Sequence, residues 1–249
     1  MASASAHPAF APYARWPLGA APPSLATLNA WAHAASLALP DGRALRFADV
    51  PVASALDYEA AVARDAVIPT RADNLHDACN ALAWLAFPRA KAVLNAVHVR
   101  AGAAATANRR DRARDAATLL DESGLLLACA DEALVALLRA HRWRELFVTH
   151  ARDVARAMRP LALGHGLLAK LARPYRAITA HVLVLPVPAA DATVAAIDVA
   201  AAAAIALPAL APARLAVLPV AALPGWDREA LGAALFDDVS VFRPARTAG

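Results

Sequence analysis

Residues 69–95 read PTRADNLHDACNALAWLAFPRAKAVLN, and they decide the fold class. Two helical periods meet at Phe87-Pro88, with no sustained alternation of apolar and polar residues between them. Over residues 75–87, at about 100° per residue, Leu75, Cys79, Leu82 and Ala86 fall on one face and form the expected core stripe. His76, Asp77, Asn80 and Trp84 occupy the opposite arc, with Phe87 beside them. A face polar at one end and aromatic at the other is predicted to line a groove or meet another element. Asn74 is placed as the N-cap and Asp77 at the third helical position, where a carboxylate can reach back and meet the positive end of the dipole. Pro88 suits the first turn of the next helix, where its missing N–H would go unpaired anyway. On that helix Ala90, Val93, Leu94 and Val97 are apolar, while Lys91, Asn95 and His98 form a stripe read as a solvated edge able to hold an anion.

Outward from this pair the chain remains mostly helical. LATLNAWAHAASL and DYEAAVARDAVIP have helical spacing, the second stopping at Pro69, and ALPDGRALRFADV carries an Asp-Gly turn signal between short apolar runs. RDRARDAATLLDESG is predicted to be a helix closed by Gly124 as a left-handed cap, and LLLACA a short strand. Helices are also expected within 131–158, at GHGLLAKLARPY and near 191–206, with RLAVLPV a short extended piece. AITAHVLVLPVP, rich in Val, Ile and Thr and bounded by Pro, is the best strand. The fold class is therefore α+β: a mainly helical single domain over 25–245 with a small sheet of few short strands, preceded by a Pro/Ala-rich arm over 1–24 anchored by Phe10, Tyr13 and Trp16.

At 249 residues and 59% hydrophobic, the chain is long and apolar enough for a large core. Arg outnumbers Lys 23 to 2, yet the net charge is only +4 and the cations are interleaved with acids, as in NRRDRARDAATLLDES, which disfavours nucleic-acid binding by charge alone. Cys79 and Cys129 have neither metal-motif nor disulfide spacing, and the start lacks a secretory pattern, so a cytoplasmic protein is expected. VAAAAAIALPALAPA is too short and too interrupted by Pro for a bilayer span, so no membrane association is expected. No Gly-rich phosphate loop, G-x-S-x-G elbow or His pair at i, i+4 is present, which argues against P-loop NTPases, α/β-hydrolases and zincins.

Four ordered motifs, PTRADNLHDACNALAWLAFPRAKAVLN, RDAATLLDESG, GHGLLAKLARPYRAITAH and LFDDVSVFRP, resemble a bacterial family catalogued as domain of unknown function 3025. The resemblance covers about residues 40–245 and implies a shared fold unit and motif positions, without an activity. The chain departs from that pattern at Gly166 and Ala169, where Ala and Glu are usual, and at Leu120 and Ser123, where Phe and Asn are usual. No acid or base role carries over to position 169.

The residues themselves nominate candidates. His76 is a candidate general base or metal ligand, with Asn80 a second polar contact one turn later. Asp111, Asp115, Thr118 and Glu122 share one helix face, which reads either as a solvated ion-pair surface balanced by Arg110, Arg112 and Arg114, or as Asp115 or Glu122 holding magnesium or manganese with a distant His. His165, at a glycine-flanked helix start, and His181, on the strand, complete the catalytic candidates. Arg71, Lys91, Asn95 and Arg114 join Asn80 as substrate contacts. Two functions of different class are expected: a hydrolase or transferase binding a small anionic or phosphate-bearing substrate with or without a divalent metal, and a non-catalytic protein docking a protein or RNA partner through the face around Trp84. The oligomeric state is not legible.

Overall fold

The computed structural model describes residues 8–16, 21–103, 111–223 and 232–245. Arg110, parts of the N-terminal arm (1–7 and 17–20) and part of the tail (224–231) lie outside them. The elements in chain order are α1 (Leu25–Ala34), β1 (Arg46–Ala48), α2 (Ala55–Asp65), β2 (Val67–Pro69), α3 (Leu75–Ala86), α4 (Pro88–Ala103), α5 (Arg112–Ser123) and β3 (Gly124–Ala128). They continue with α6 (Glu132–Arg139), α7 (Ala151–Ala157), β4 (Arg159–Ala162), α8 (His165–Leu171), β5 (Thr179–Leu185), α9 (Val194–Ala206) and β6 (Ala216–Pro219). This is a mainly helical α+β fold with one four-stranded and one two-stranded sheet among the described residues.

The larger sheet has the order β4-β3-β5-β6, with β3 and β5 parallel at its centre and antiparallel strands at both edges. In β3 all five residues, Gly124 to Ala128, are buried, as a strand covered on both faces requires. The smaller sheet pairs β1 with β2 in parallel, Phe47 opposite Ile68, so the chain leaves both strands at the same end. The N-terminal segment is a short 3-10 helix, Pro8–Tyr13, in which Tyr13 donates a hydrogen bond to the Ala162 carbonyl at 2.7 Å; Tyr13 and Trp16 are buried.

Four expectations are corrected. The helix of DYEAAVARDAVIP ends at Asp65, not Pro69: Ala66 takes a left-handed conformation (φ 52°) and the following Val and Ile, stiff at Cβ, form β2. Gly124 is not a left-handed cap but extended (φ −70°, ψ 139°), carrying α5 straight into β3; a Cβ there would stand 2.2 Å from the Leu120 carbonyl oxygen. Asp111 precedes α5 rather than riding on its face, accepting hydrogen bonds from the amides of Ala113 and Arg114 as the N-cap. The two-faced reading of α3 holds only near its start, where His76, Asp77 and Asn80 line a cleft: Leu75 is exposed rather than core, and Ala78 to Ala86 is buried on every side because α1, α4, α8 and the N-terminal 3-10 helix surround it.

Two further features position the site. Asp198 on α9 is buried and caps α4 from across the core, accepting from the amides of Ala90 at 2.8 Å and Arg89 at 3.1 Å. Burial pushes its carboxyl up, partly offset by those two amides. The end of α5 and the start of α8 are held together because Leu163 and Gly164 both donate to the Gly124 carbonyl where β3 and β4 close. Side chains at 164 and 166 would obstruct this approach: a Cβ on Gly164 would lie 2.4 Å from the Gly124 nitrogen, and one on Gly166 2.5 Å from Glu122 Oε2.

Candidate functional site

A cleft of about 710 Å³ opens where these elements meet. The segments leaving the parallel strands form one wall, Asp49 to Ser54 after β1 and Thr70-Arg71 after β2. Tyr58 and Glu59 of α2, the first turns of α3, the last turn of α5 and the first residue of α8 form the rest.

At its floor three ligand-type side chains come together. One nitrogen or oxygen of each of His76, Glu122 and His165 lies within 4.8 Å of the others. The two imidazoles meet edge to face with centroids 4.4 Å apart, and His165 Nε2 stands 3.4 Å from Glu122 Oε1. On its other side His165 Nδ1 is 3.7 Å from Asp121 Oδ2, buried and without a hydrogen-bond partner. Burial and the adjacent His165 push the His76 pKa down, against smaller upward pulls from Glu122 and Asp77, which keeps its imidazole neutral near pH 7. The His165 ring holds the Glu122 carboxyl below its ordinary range.

Behind the floor lies a buried polar layer. Lys91, only 3% exposed, contacts Asp121 Oδ1 and donates to Asn80 Oδ1 at 2.8 Å. Asn80 in turn donates to the Tyr58 hydroxyl at 2.7 Å. Burial acts to raise the Asp121 pKa, but the neighbouring Lys91 and His165 outweigh it and hold the carboxyl below its ordinary range. Glu59 behaves differently: burial lifts its carboxyl to about 7, although Asn95 Nδ2 donates to its Oε2 at 2.6 Å. Asp121 adds to that rise and Lys91 and His165 oppose it, so Glu59 shares the electrostatic environment of the floor. Two carboxyl groups are thus driven apart by surroundings, the pattern expected of acid–base pairs.

Of the sequence candidates, the structure brings His76, Asn80, Arg71 and His165 into the cleft wall. Arg71 is not a free anion holder: Asp77 accepts from its backbone N, Nε and Nη2 at 2.8, 2.9 and 2.9 Å, fixing a side chain still 66% exposed. Asp77 keeps its cap role too, its own amide donating to Asn74 Oδ1 at 3.1 Å. Lys91 and Asn95 sit behind the wall, and with His98 they are buried, which corrects the solvated edge. The anions they hold are the protein's own carboxylates.

Asp115, Arg114 and His181 are not brought to the cleft. Asp115 is two turns back along α5 from Glu122, about 10 Å along the axis. Arg114 is exposed in the first turn of α5. His181 is half-buried on β5, its Nδ1 2.7 Å from the Ser123 hydroxyl, where it ties the end of α5 to the sheet. Trp84 and Phe87 are 1% and 0% exposed, so neither side chain presents the docking face expected around Trp84. Lys91 stands over the Trp84 ring, 5.5 Å from its centroid. Sequence reasoning missed Tyr58, Glu59 and Asp121. Glu122 was read as pairing with a distant His, and it stands beside His165 and His76.

No described helix is long and apolar enough to cross a membrane. No curated protein and no solved structure matches this chain. The family described as Protein of unknown function (DUF3025) matches residues 45–246, most of the sequence, and the chain belongs to it.

Proposed function

We propose that this DUF3025 member is an enzyme of hydrolase or transferase type, acting in the cleft on a small anionic or phosphate-bearing substrate with the help of a divalent cation. The observation that carries this reading is convergence: Glu59, His76, Asn80, Glu122 and His165, from four separate helices, line one concave space backed by buried ionisable groups. Glu59 is the proton acceptor in this account. With its carboxyl at about 7 it is divided between both forms near neutral pH, so it can take a proton from an attacking water or hydroxyl and return it to a leaving group.

Charge supports the cation. Among the described residues the wall carries Asp49, Glu59, Asp77, Asp121 and Glu122 against Arg71 alone among arginines and lysines, and Arg71 is already engaged by Asp77. An anionic substrate would be repelled unless a cation stood between it and the carboxylates, where it would also polarise the scissile bond and activate water. The N–H groups of Arg71 not used by Asp77 remain available to orient the substrate. The free cysteines Cys79 and Cys129 are in keeping with a reducing, cytoplasmic setting.

The test is turnover of a panel of phosphate monoesters, diesters and carboxylic esters, with each of several divalent metals, by the wild type and by Glu59→Gln. The expected result is metal-dependent turnover of at least one ester class that falls by about 10²–10⁴-fold in Glu59→Gln, in line with loss of general-base catalysis, while substrate still binds. Undiminished turnover in Glu59→Gln, or no turnover of any class, would overturn the reading.

A further inference from the structure

We infer that His76, His165 and Glu122 are the protein ligands of a divalent transition-metal site of the zinc class, with its remaining coordination open to the cleft. The inference sharpens the cation required by the proposed function, and rests on that reading for the ion's role but not for its presence.

The distances suit a shared ion. Metal–ligand bonds of about 2.0–2.1 Å in a tetrahedron place neighbouring ligand atoms about 3.3–3.4 Å apart. His165 Nε2 and Glu122 Oε1 already stand 3.4 Å apart, and the third atom, on His76, lies within 4.8 Å. His76 and Glu122 are exposed residues with room to adjust toward a shared ion, whereas His165 is 7% exposed. An octahedral magnesium site requires ligand atoms about 2.9 Å apart and prefers oxygen, and two imidazoles among three donors point away from it. Three protein ligands facing a cleft leave a position for water or substrate, as in catalytic rather than structural zinc sites.

The second observation is the orphaned nitrogen of His165. Its Nδ1 is buried and unbonded, with Asp121 Oδ2 3.7 Å away. When Nε2 gives its lone pair to a metal, Nδ1 must carry the ring proton, and the nearest acceptor for it is Asp121. That is the carboxylate–histidine–metal arrangement which orients a ligand and raises its basicity. Lys91 holds the other Asp121 oxygen and is itself held by Asn80, so the orienting carboxylate is built into the core rather than free to leave. Asp121 is a positioning residue and does not touch the ion.

The experiment uses the full chain, stripped with a chelator and titrated with zinc, cobalt(II), manganese and magnesium by calorimetry, with visible absorption to report cobalt geometry. The expected result is one equivalent of zinc or cobalt, a tetrahedral or five-coordinate cobalt spectrum, and weaker magnesium. His76→Ala and Glu122→Gln, both at exposed positions and checked for fold by circular dichroism, are expected to lower zinc affinity at least 100-fold. Asp121→Asn is expected to lower it about 10–100-fold and alter the cobalt spectrum. Asp115→Asn, on the same helix but outside the cleft, is expected to leave it unchanged. Absence of saturable one-to-one binding, binding indifferent to His76→Ala and Glu122→Gln, or a preference for magnesium would each overturn the site. Turnover persisting in chelated, metal-free protein would overturn the ion's catalytic role while leaving the enzyme standing; one-to-one binding without turnover would support the site while removing the enzyme.

Discussion

Glu59→Gln should make the protein more stable and less active at the same time. In the folded protein the Glu59 carboxyl is lifted from its ordinary 4.5 to about 7, first by burial and then by Asp121, against the pull of Asn95 and Lys91. The folded state therefore holds a proton on Glu59 between about pH 4.5 and 7 that the unfolded chain has released. Stability from this group is full below the unfolded value and is lost as pH rises through the folded one. A rise of this size corresponds to about 3 kcal/mol, and the partial exposure of the side chain reduces it to roughly 1–3 kcal/mol. Gln keeps an oxygen to accept from Asn95 Nδ2, now 2.6 Å from Glu59 Oε2, and carries no charge to desolvate. Urea unfolding at about pH 8 should show the variant more stable by that 1–3 kcal/mol, a gain of several degrees in Tm for a chain of this length. At about pH 4.5 the gain should shrink toward zero. A variant less stable at high pH, or a difference independent of pH, would refute the account of Glu59 as an ionisable group kept against its stability for use.

Lys91→Met should destabilise the protein by about 3–5 kcal/mol, because it strands the buried Asp121 charge; a change under about 1 kcal/mol in urea unfolding would contradict the buried-pair reading. Asp198→Ala should lose about 1–2 kcal/mol through the uncapped amides of Arg89 and Ala90, with early exchange of those amides by hydrogen exchange as the specific signature. Gly166→Ala should cost about 1–3 kcal/mol, since its Cβ would stand 2.8 Å from the Glu122 carbonyl oxygen, and should weaken zinc binding by displacing the Glu122 carboxylate. Unfolding and zinc titration of that variant check both effects.

Much of the fold was legible from local pattern. AITAHVLVLPVP, RLAVLPV and the helices on either side of Phe87-Pro88 carry their periods and stop signals in the chain itself, and they form β5, β6, α3 and α4. Strand β4 was missed because RPLA is four residues long and contains Pro160, a signal too brief for alternation and tolerable only because β4 is an edge strand. The site was legible in part for a similar reason. His76 and Asn80 stood out as polar residues on an otherwise apolar helix, and His165 as a helix-start histidine between glycines. Lys91, Asn95 and His98 were misread because helical spacing shows which residues share a face, not what covers it. Their partners Asp121 and Glu59 lie 30 and 36 residues away, a relation no local window contains. Asp121 and its neighbour Glu122 both line the cleft, but Asp121 also reaches Lys91, a partner that only the packing of α5 on α4 brings near.

The proposed centre requires the three side chains at the cleft floor to converge on one ion. X-ray absorption at the zinc edge of the protein loaded with one equivalent reports this directly. The predicted result is a first shell of nitrogen and oxygen at about 2.0–2.1 Å with outer-shell scattering from two imidazole rings, reduced to one ring in His76→Ala. A shell of oxygen alone, or a two-ring signal unchanged in His76→Ala, would contradict it.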